Sequence, residues 1–339
     1  MIRLLENFEK QNIRPLYEHC FYEDGEEFTD YYFSKCLPHN EVMVKEVDGE
    51  IVSAVHLIPK NLVMGSLKTN IMYIYAVGTF QGYRNKGYIK EIFSEILKKM
   101  YENMDAFTYL IPSDETNASI YEKFGFQYVM DKFQIAPPEH RRKATHSLIL
   151  RKADNSDLVK LSIFAQSTAY NKYSVVLSKD LEYFKRMKEL IDVEGGHIDI
   201  YVENKVIVGY RIWIDDEIFE EVLDAGIQSL SWESDVRRPY LMARIINIRK
   251  TLRMFQFKNE NEIVLKISDP VIEENNGYFV MSEHHGSVKL EKKTKDSIAK
   301  EPDFDIGIGE FTAHVFGYKP ISGLPKVCRK DSFFINDYV

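Results

Sequence analysis

The stretch VGTFQGYRNKGYIKEIF, residues 77–93, leaves an apolar segment, passes a knot of glycines and cations, and enters an amphipathic pattern. The segment before it, IMYIYAV (71–77), is apolar on both faces, as expected for a central strand covered by helices on each side. After the loop, Ile89, Ile92, Phe93, Ile96, Leu97 and Met100 recur at three- and four-residue intervals, which makes one stripe of a helix. Lys90, Glu91, Glu95, Lys98 and Lys99 occupy its other face. Where a glycine-bearing loop opens a helix, the first helical N–H groups lack internal partners and point outward with the positive end of the helix dipole. Phosphate is the natural ligand of such a turn. Gly82 and Gly87 let the backbone approach closely, Arg84 and Lys86 add charge, and Tyr88 starts the helix. Ordinary strand-to-helix packing is the alternative when the pattern stands alone.

Working outward, AFTYLI (106–111) reads as a second strand stopped by Pro112, followed by a shorter helical stretch that leads to a turn at Gly125. Upstream, EVMVKEV (41–47) and EIVSAVHLI (50–58) meet at Asp48-Gly49, a hairpin dipeptide. The unit is strand, loop, helix, strand, helix. The stretch HIDIYVENKVIVGYRIWI (197–214) repeats the hairpin logic without the glycine and arginine loop, so an internal duplication is expected in which only the first copy keeps the anion site. From Pro239 the texture changes to one amphipathic run, ARIINIRKTLRMF, and strand-like EIVLKIS, GYFVMS and SVKLEKK, separated by Asp-Pro and Asn-Asn-Gly turns. The expected fold class is α/β (α+β), divided at 1–145, 146–237 and 238–339.

The chain has 339 residues, 45% apolar and 28% charged, and no apolar run long enough to cross a bilayer or to act as a signal peptide, which points to the cytoplasm and to no membrane partner. Cys20, Cys36 and Cys328 form neither a C-x-x-C pair nor an even set, so free thiols and no metal are expected. A formal charge of -8 disfavours nucleic acid and suits a cationic small substrate. His39 and His56 read as loop and strand residues rather than bases, and His284 and His285 as part of a turn with no metal spacing.

Two segments carry a resemblance. Arg84-Asn85-Lys86-Gly87-Tyr88-Ile89 is similar to the pyrophosphate loop R-x-x-G-x-G/A of the GNAT N-acetyltransferases. Tyr121-Glu122-Lys123-Phe124-Gly125-Phe126 resembles their later Y-x-K-x-G-F signature. Ile89 stands where the general pattern has a small residue, and this is similar to the enhanced intracellular survival (Eis) branch. That branch is built from two acetyltransferase-like domains and a C-terminal sterol-carrier-like domain, the layout of the three divisions above. The resemblance implies an acetyl-CoA-dependent transfer to a primary amine, small or peptide-borne, and a homo-oligomer, a hexamer in that branch. An apolar carrier or sensor with a vestigial first domain is the alternative.

By resemblance, the backbone of Val77 and Thr79 would hold the pantetheine arm. The N–H groups of Arg84, Asn85, Lys86, Gly87, Tyr88 and Ile89 would hold the diphosphate of coenzyme A. Tyr121 matches the tyrosine that protonates the departing sulfur, a step only mildly uphill for a phenol of ordinary pKa, about 10, and a thiol of about 8.5. In a chain with 21 tyrosines, a packing role is the alternative. The tail DSFFINDYV offers Phe333, Phe334, Ile335, Tyr338 and Val339 for burial, unlike an ordinary frayed terminus. In the resembling family the terminal carboxylate, here on Val339, reaches the acceptor site; a docking anchor is the alternative. Acceptor contacts are expected from Glu23, Asp24, Tyr32 and Asp337, with Glu26, Glu27 and Tyr31 nearby; a solvated acidic helix face is the alternative for the carboxylates.

Overall fold

The computed structural model describes residues 1–65, 67–136, 148–227, 232–255, 261–298, 300–328 and 333–338, with the backbone alone at 133–136 and 232–236. The strands, in chain order, are β1 (Ile2–Leu4), β2 (Glu41–Val47), β3 (Glu50–Met64), β4 (Leu67–Thr79), β5 (Phe107–Leu110), β6 (Gln127–Ala136), β7 (Leu148–Lys152), β8 (Val175–Leu177) and β9 (Gly196–Glu203). They continue with β10 (Val206–Ile214), β11 (Glu217–Leu223), β12 (Trp232–Ile245), β13 (Ile263–Ser268), β14 (Gly277–His284), β15 (Ser287–Lys293), β16 (Phe304–Gly307) and β17 (Phe333–Phe334). The helices are α1 (Arg14–Cys20), α2 (Glu26–Tyr31), α3 (Tyr88–Glu102), α4 (Glu115–Glu122), α5 (Leu158–Lys172), α6 (Leu181–Glu194), α7 (Ile248–Arg253) and α8 (Ile308–Val315).

Three sheets organise these elements. The first runs β1-β2-β3-β4-β5-β12-β6, with β8 pairing the far end of β3 and β17 pairing β8. The β2–β3 hairpin turns at Asp48 and Gly49, with φ of 51° and 84°, the two consecutive left-handed residues of a tight hairpin. β4 and β5 are parallel and pair only at Tyr73–Tyr109 and Ile74–Leu110. At Ala76 φ is +45°, and the register against β3 shifts between Ala54 and His56. This is a bulge, and a bulge bends its strand. β4 therefore runs on through Tyr75–Thr79 with no β5 partner, which opens a wedge in the centre of the sheet.

On one face of that sheet α3 buries Ile92, Phe93, Ile96, Leu97 and Met100 against Val55, Leu57, Ile74, Leu110 and Phe126. Five apolar side chains at helical spacing contribute roughly 1.5–3 kcal/mol each when buried, so this stripe fixes where the loop before α3 sits. The other face carries α1, α2 and the chain end. The second sheet, β11-β10-β9-β7, is antiparallel and packed by α5 and α6; the third is β15-β14-β13-β16, with β16 parallel to β13.

The expected division at 237/238 falls inside β12, which lies between β5 and β6. Its residues Leu241, Met242, Ala243, Arg244 and Ile245 have essentially no exposed surface, the condition of a central strand. The run ARIINIRKTLRMF accordingly begins as strand and becomes helix only over Ile248–Arg253. The other division, at 145/146, lies outside the described residues. β12 also locks the third sheet in place. Arg244 forms a fully buried ion pair with Asp269, whose carboxylate also accepts from the N–H groups of Val271 and Ile272 at 2.9 Å and from Asn275 Nδ2 at 2.9 Å.

Candidate active site

The loop between β4 and α3 begins with a 3-10 turn at Gln81–Tyr83 and then takes two left-handed residues, Asn85 at φ 62° and Gly87 at φ 82°. A Cβ at Gly87 would meet no atom within 4 Å, so conformation and not crowding selects glycine there. The first intrahelical bond is Glu91 N–H to the Gly87 carbonyl, 3.1 Å; the N–H groups of Tyr88, Ile89 and Lys90 therefore precede any helical acceptor. Arg84 donates from Nε to the Thr79 carbonyl at 3.1 Å and also interacts with the Cys20 thiol. Lys86 Nζ lies 4.7 Å from the Tyr83 ring centroid, and both cations are exposed. Thr79 is engaged more than the sequence suggests: besides Arg84, its hydroxyl meets Ser53 Oγ at 2.8 Å.

Val77, Ile89 and Tyr121 all pack, partly buried, on the core beneath α3. Thus the strand edge, the helix start and the motif tyrosine rest on one apolar cluster. Tyr121 stacks on Phe93 at 5.5 Å and meets Phe126 edge-on at 6.3 Å. Burial, assisted by the charge of Asp114, pushes its hydroxyl up to about 12. It is a hydrogen-bond donor throughout the physiological range. Gly125 of the same motif is left-handed, φ 82°, and a Cβ there would lie 2.6 Å from Ile308 Cγ2 and 3.1 Å from Arg244 Nε. The motif glycine is thus where the first sheet closes on α8.

On the opposite side of β4, a chain of phenols borders the bulge. Tyr75 donates to Tyr17 at 3.1 Å, and Tyr17 donates to Asp24 Oδ2 at 2.6 Å. Asn40 donates to the Tyr32 hydroxyl at 3.2 Å, and Tyr32 donates to His56 Nδ1 at 2.6 Å. Burial pulls His56 down to about 3, so it is a neutral acceptor. Tyr17, Phe21, His56, Ala76 and Gly78 meet at this point with no open volume between them. Asp24 is half-buried, and that burial raises its pKa against the opposing Tyr17 bond. Glu23 is exposed and accepts from Tyr22 at 3.2 Å. Tyr32 has no exposed surface; the structure makes it a support for His56, not a surface that an acceptor can touch.

The chain end threads between the units. Phe333 and Phe334 pair with Val175 and Val176 of β8, and Phe333 and Ile335 are buried. Asn336 Nδ2 donates to the Phe219 carbonyl at 2.9 Å and to Glu220 at 3.3 Å, and Glu220 also accepts from Tyr210 and pairs with buried Lys179. Asp337 is buried beside Lys60 Nζ at 2.6 Å and Tyr109 Oη at 3.1 Å. Its charge is met within the protein, in contrast to the acceptor contact expected of it. Tyr338 donates to Glu194 at 3.2 Å and packs edge-on to Phe28 and Phe219. Val339 lies outside the described residues.

Residues 1–129 match the family model described as the acetyltransferase (GNAT) domain, and residues 248–329 match the one described as the sterol carrier protein domain. The chain carries a GNAT acetyltransferase domain. It is thus an enzyme of the N-acetyltransferase class, with a mixed α/β fold and a sterol carrier protein domain at its C-terminal end. A structure from Enterococcus faecalis, described as a "Probable N-Acyltransferase", shares the fold over 100% of this chain and 99% of its own, at a TM-score of 0.77 and 16% identity. A GCN5-related N-acetyltransferase from Anabaena variabilis does so over 93% and 90%, at 0.74 and 16%. Eis1 from Mycobacterium abscessus does so over 94% and 90%, at 0.68 and 12%. No curated protein matches the chain. No helix among the described residues is long and apolar enough to cross a membrane.

Several residues around the GNAT site escaped the sequence reading: Tyr17, Tyr75, Tyr109, Lys60 and Glu194. A signal was present for some of them. Tyr73 and Tyr75 are two apart in a strand and so share a face, an unusual density of hydroxyls for a core strand. Lys60 lies within β3 among apolar neighbours, and a lone lysine there calls for a buried partner.

Proposed function

We propose that the GNAT domain transfers an acetyl group from acetyl-CoA to a primary amine on a small cationic or peptide-borne acceptor, in the manner of the Eis-like branch. The observation that carries this reading is the juxtaposition of the left-handed Asn85/Gly87 loop at the start of α3 with the unpaired end of β4. Its donors suit a diphosphate: the N–H groups of Tyr88, Ile89 and Lys90, the guanidinium of Arg84, and Lys86 Nζ. The open surroundings of Gly87 leave room for that group. Acetyl-CoA, when bound, supplies an activated acetyl thioester.

Tyr121 donates a hydrogen bond to the developing negative charge on sulfur. Complete transfer from a phenol near 12 to a thiolate whose acid is near 8.5 would be uphill by roughly 5 kcal/mol. That is a larger gap than an ordinary phenol would face. Tyr121 therefore stabilises charge by donation, and the proton that balances the reaction is the one the amine sheds as its bond to the acetyl carbon forms. On the acceptor side, half-buried Asp24, held by Tyr17, supplies a fixed negative charge beside the aromatic wall of β4, which favours a cationic acceptor. The second sheet with α5 and α6 is read as a degenerate copy of the domain, since its hairpin β9–β10 leads into no glycine and arginine loop. The test is a panel of primary amines incubated with the full chain and acetyl-CoA, with detection of free thiol. Amine-dependent thiol release supports the reading; thiol release that no amine changes removes it.

A further inference from the structure

The sterol carrier protein domain holds a feature unrelated to the acetyl-transfer site. A cleft of about 580 Å³ opens between α7 and β15. β15 is the outer strand of its sheet, and Val288 and Leu290 turn inward to form the buried floor. Around the rim stand Arg249 and Arg253 from the helix and Lys292 from the strand, while Lys289 and Glu291 alternate with the floor residues and belong to the strand's other face. Glu291 is already shared, at 2.6 Å from Lys289 and 2.8 Å from Lys293. Lys292 donates to the Glu274 carbonyl at 2.9 Å, which holds its charge in place without neutralising it. Arg249 and Arg253 are four residues apart and so share one face of α7; neither forms an ion pair with a described residue. Two guanidinium groups side by side repel unless an anion lies between them. The whole chain carries a formal charge of -8, so a concave patch of surplus cations runs against its general field.

We propose that this cleft binds a phosphate-bearing ligand. Two planar forks about one helical turn apart, with the Lys292 ammonium on the same strand face as the floor residues, match the several oxygens and double charge of a phosphate better than a single carboxylate. The same chemistry is presented by a free phosphorylated small molecule and by a phospholipid headgroup, and the experiment separates them.

The full chain is titrated calorimetrically with inorganic pyrophosphate, and any binding at the β4–α3 loop is common to the parent and the variant below and drops out of their comparison. In parallel it is mixed with phosphatidylcholine vesicles that contain or lack phosphatidic acid. The comparison is the double variant R249Q/R253Q, whose positions are exposed and outside the acetyl-transfer machinery. Binding of either probe that weakens at least about tenfold in the double variant, with acetyl transfer unchanged, supports the proposal. Pyrophosphate binding assigns a soluble ligand, and binding only to the acidic vesicles assigns a headgroup. Should the variant fold poorly, protection of Arg249 and Arg253 from phenylglyoxal by pyrophosphate in the parent gives the same answer. Failure of both probes, equal binding by parent and variant, or binding of polyglutamate where neither phosphate probe binds would overturn it.

Discussion

Replacing Lys60 by methionine keeps most of the side-chain stem and removes the ammonium that lies 2.6 Å from Asp337. The side chains are 11% and 3% exposed, and the Tyr109 hydroxyl at 3.1 Å is the polar partner that remains. Removing one partner of a buried pair costs about 3–5 kcal/mol, because the other charge stays without compensation. The apolar anchors of the tail, Phe333 and Ile335, are 3% and 0% exposed and contribute roughly 1.5–3 kcal/mol each. The penalty is therefore as large as the anchoring, and the tail should leave its groove while the α3 core holds. Hydrogen exchange read by mass spectrometry is the assay. Peptides covering 333–338 and 175–177 should lose about two to three orders of magnitude of protection, at one order per 1.4 kcal/mol. Peptides from α3 should not change. The double variant K60M/D337L should regain most of the loss, since an apolar pair of similar volume often replaces a buried ion pair without cost. Parental protection of the tail in K60M, or a double variant no better than the single, would refute the reasoning.

Three further outcomes are expected. Arg84→Ala should weaken coenzyme A binding by about 1.5–3 kcal/mol, the range for a hydrogen bond to a charged group, with binding partly retained by the backbone N–H groups; a parental titration curve would count against the anion loop. Gly125→Ala, with its Cβ 2.6 Å from Ile308 at a left-handed φ, should lower stability by about 2–4 kcal/mol from strain and overpacking; unchanged thermal unfolding would deny the close approach. His56 stays unprotonated in the native state down to about 3, whereas an unfolded histidine takes up a proton near 6.5. The unfolded state thus binds more protons below pH 6.5, and stability should fall by a few kcal/mol between pH 6.5 and 3. His56→Gln should flatten that slope in denaturant titrations across the range, and parallel slopes for the two proteins would show that His56 is not its source.

The parts of the fold with strong local periodicity were legible in the sequence. The α3 stripe from Ile89 to Met100 and the Asp48-Gly49 hairpin each depend on neighbours a few residues apart, so pattern alone specifies them. β12 was not legible in this way. Its last residues, 243–245, read as the opening of an amphipathic run because periodicity cannot separate a short buried strand from a buried helix, and its partners at β5 and β6 lie 96 or more positions away. The candidate site divides similarly. The anion loop and Tyr121 stand in compact motifs. The Lys60–Asp337–Tyr109 cluster joins three distant segments, so the tail's apolar residues announced docking while the partner of its carboxylate stayed hidden. Tyr32, expected at the acceptor, is engaged by His56 and Asn40, because it lies one turn beyond buried Phe28, stacks on it and so faces inward.

The most direct test of acetyl transfer at the β4–α3 site is a single-turnover measurement with the best amine, following acetylated product by mass spectrometry for the parent and for Tyr121→Phe, with acetyl-CoA affinity measured beside it. Product should form in the parent, and the variant should bind acetyl-CoA equally well yet turn over about 10²-fold more slowly, as expected when an interaction made in the transition state is lost. An equal rate of acetylation in both proteins, or a parent that binds no acetyl-CoA, would contradict the account.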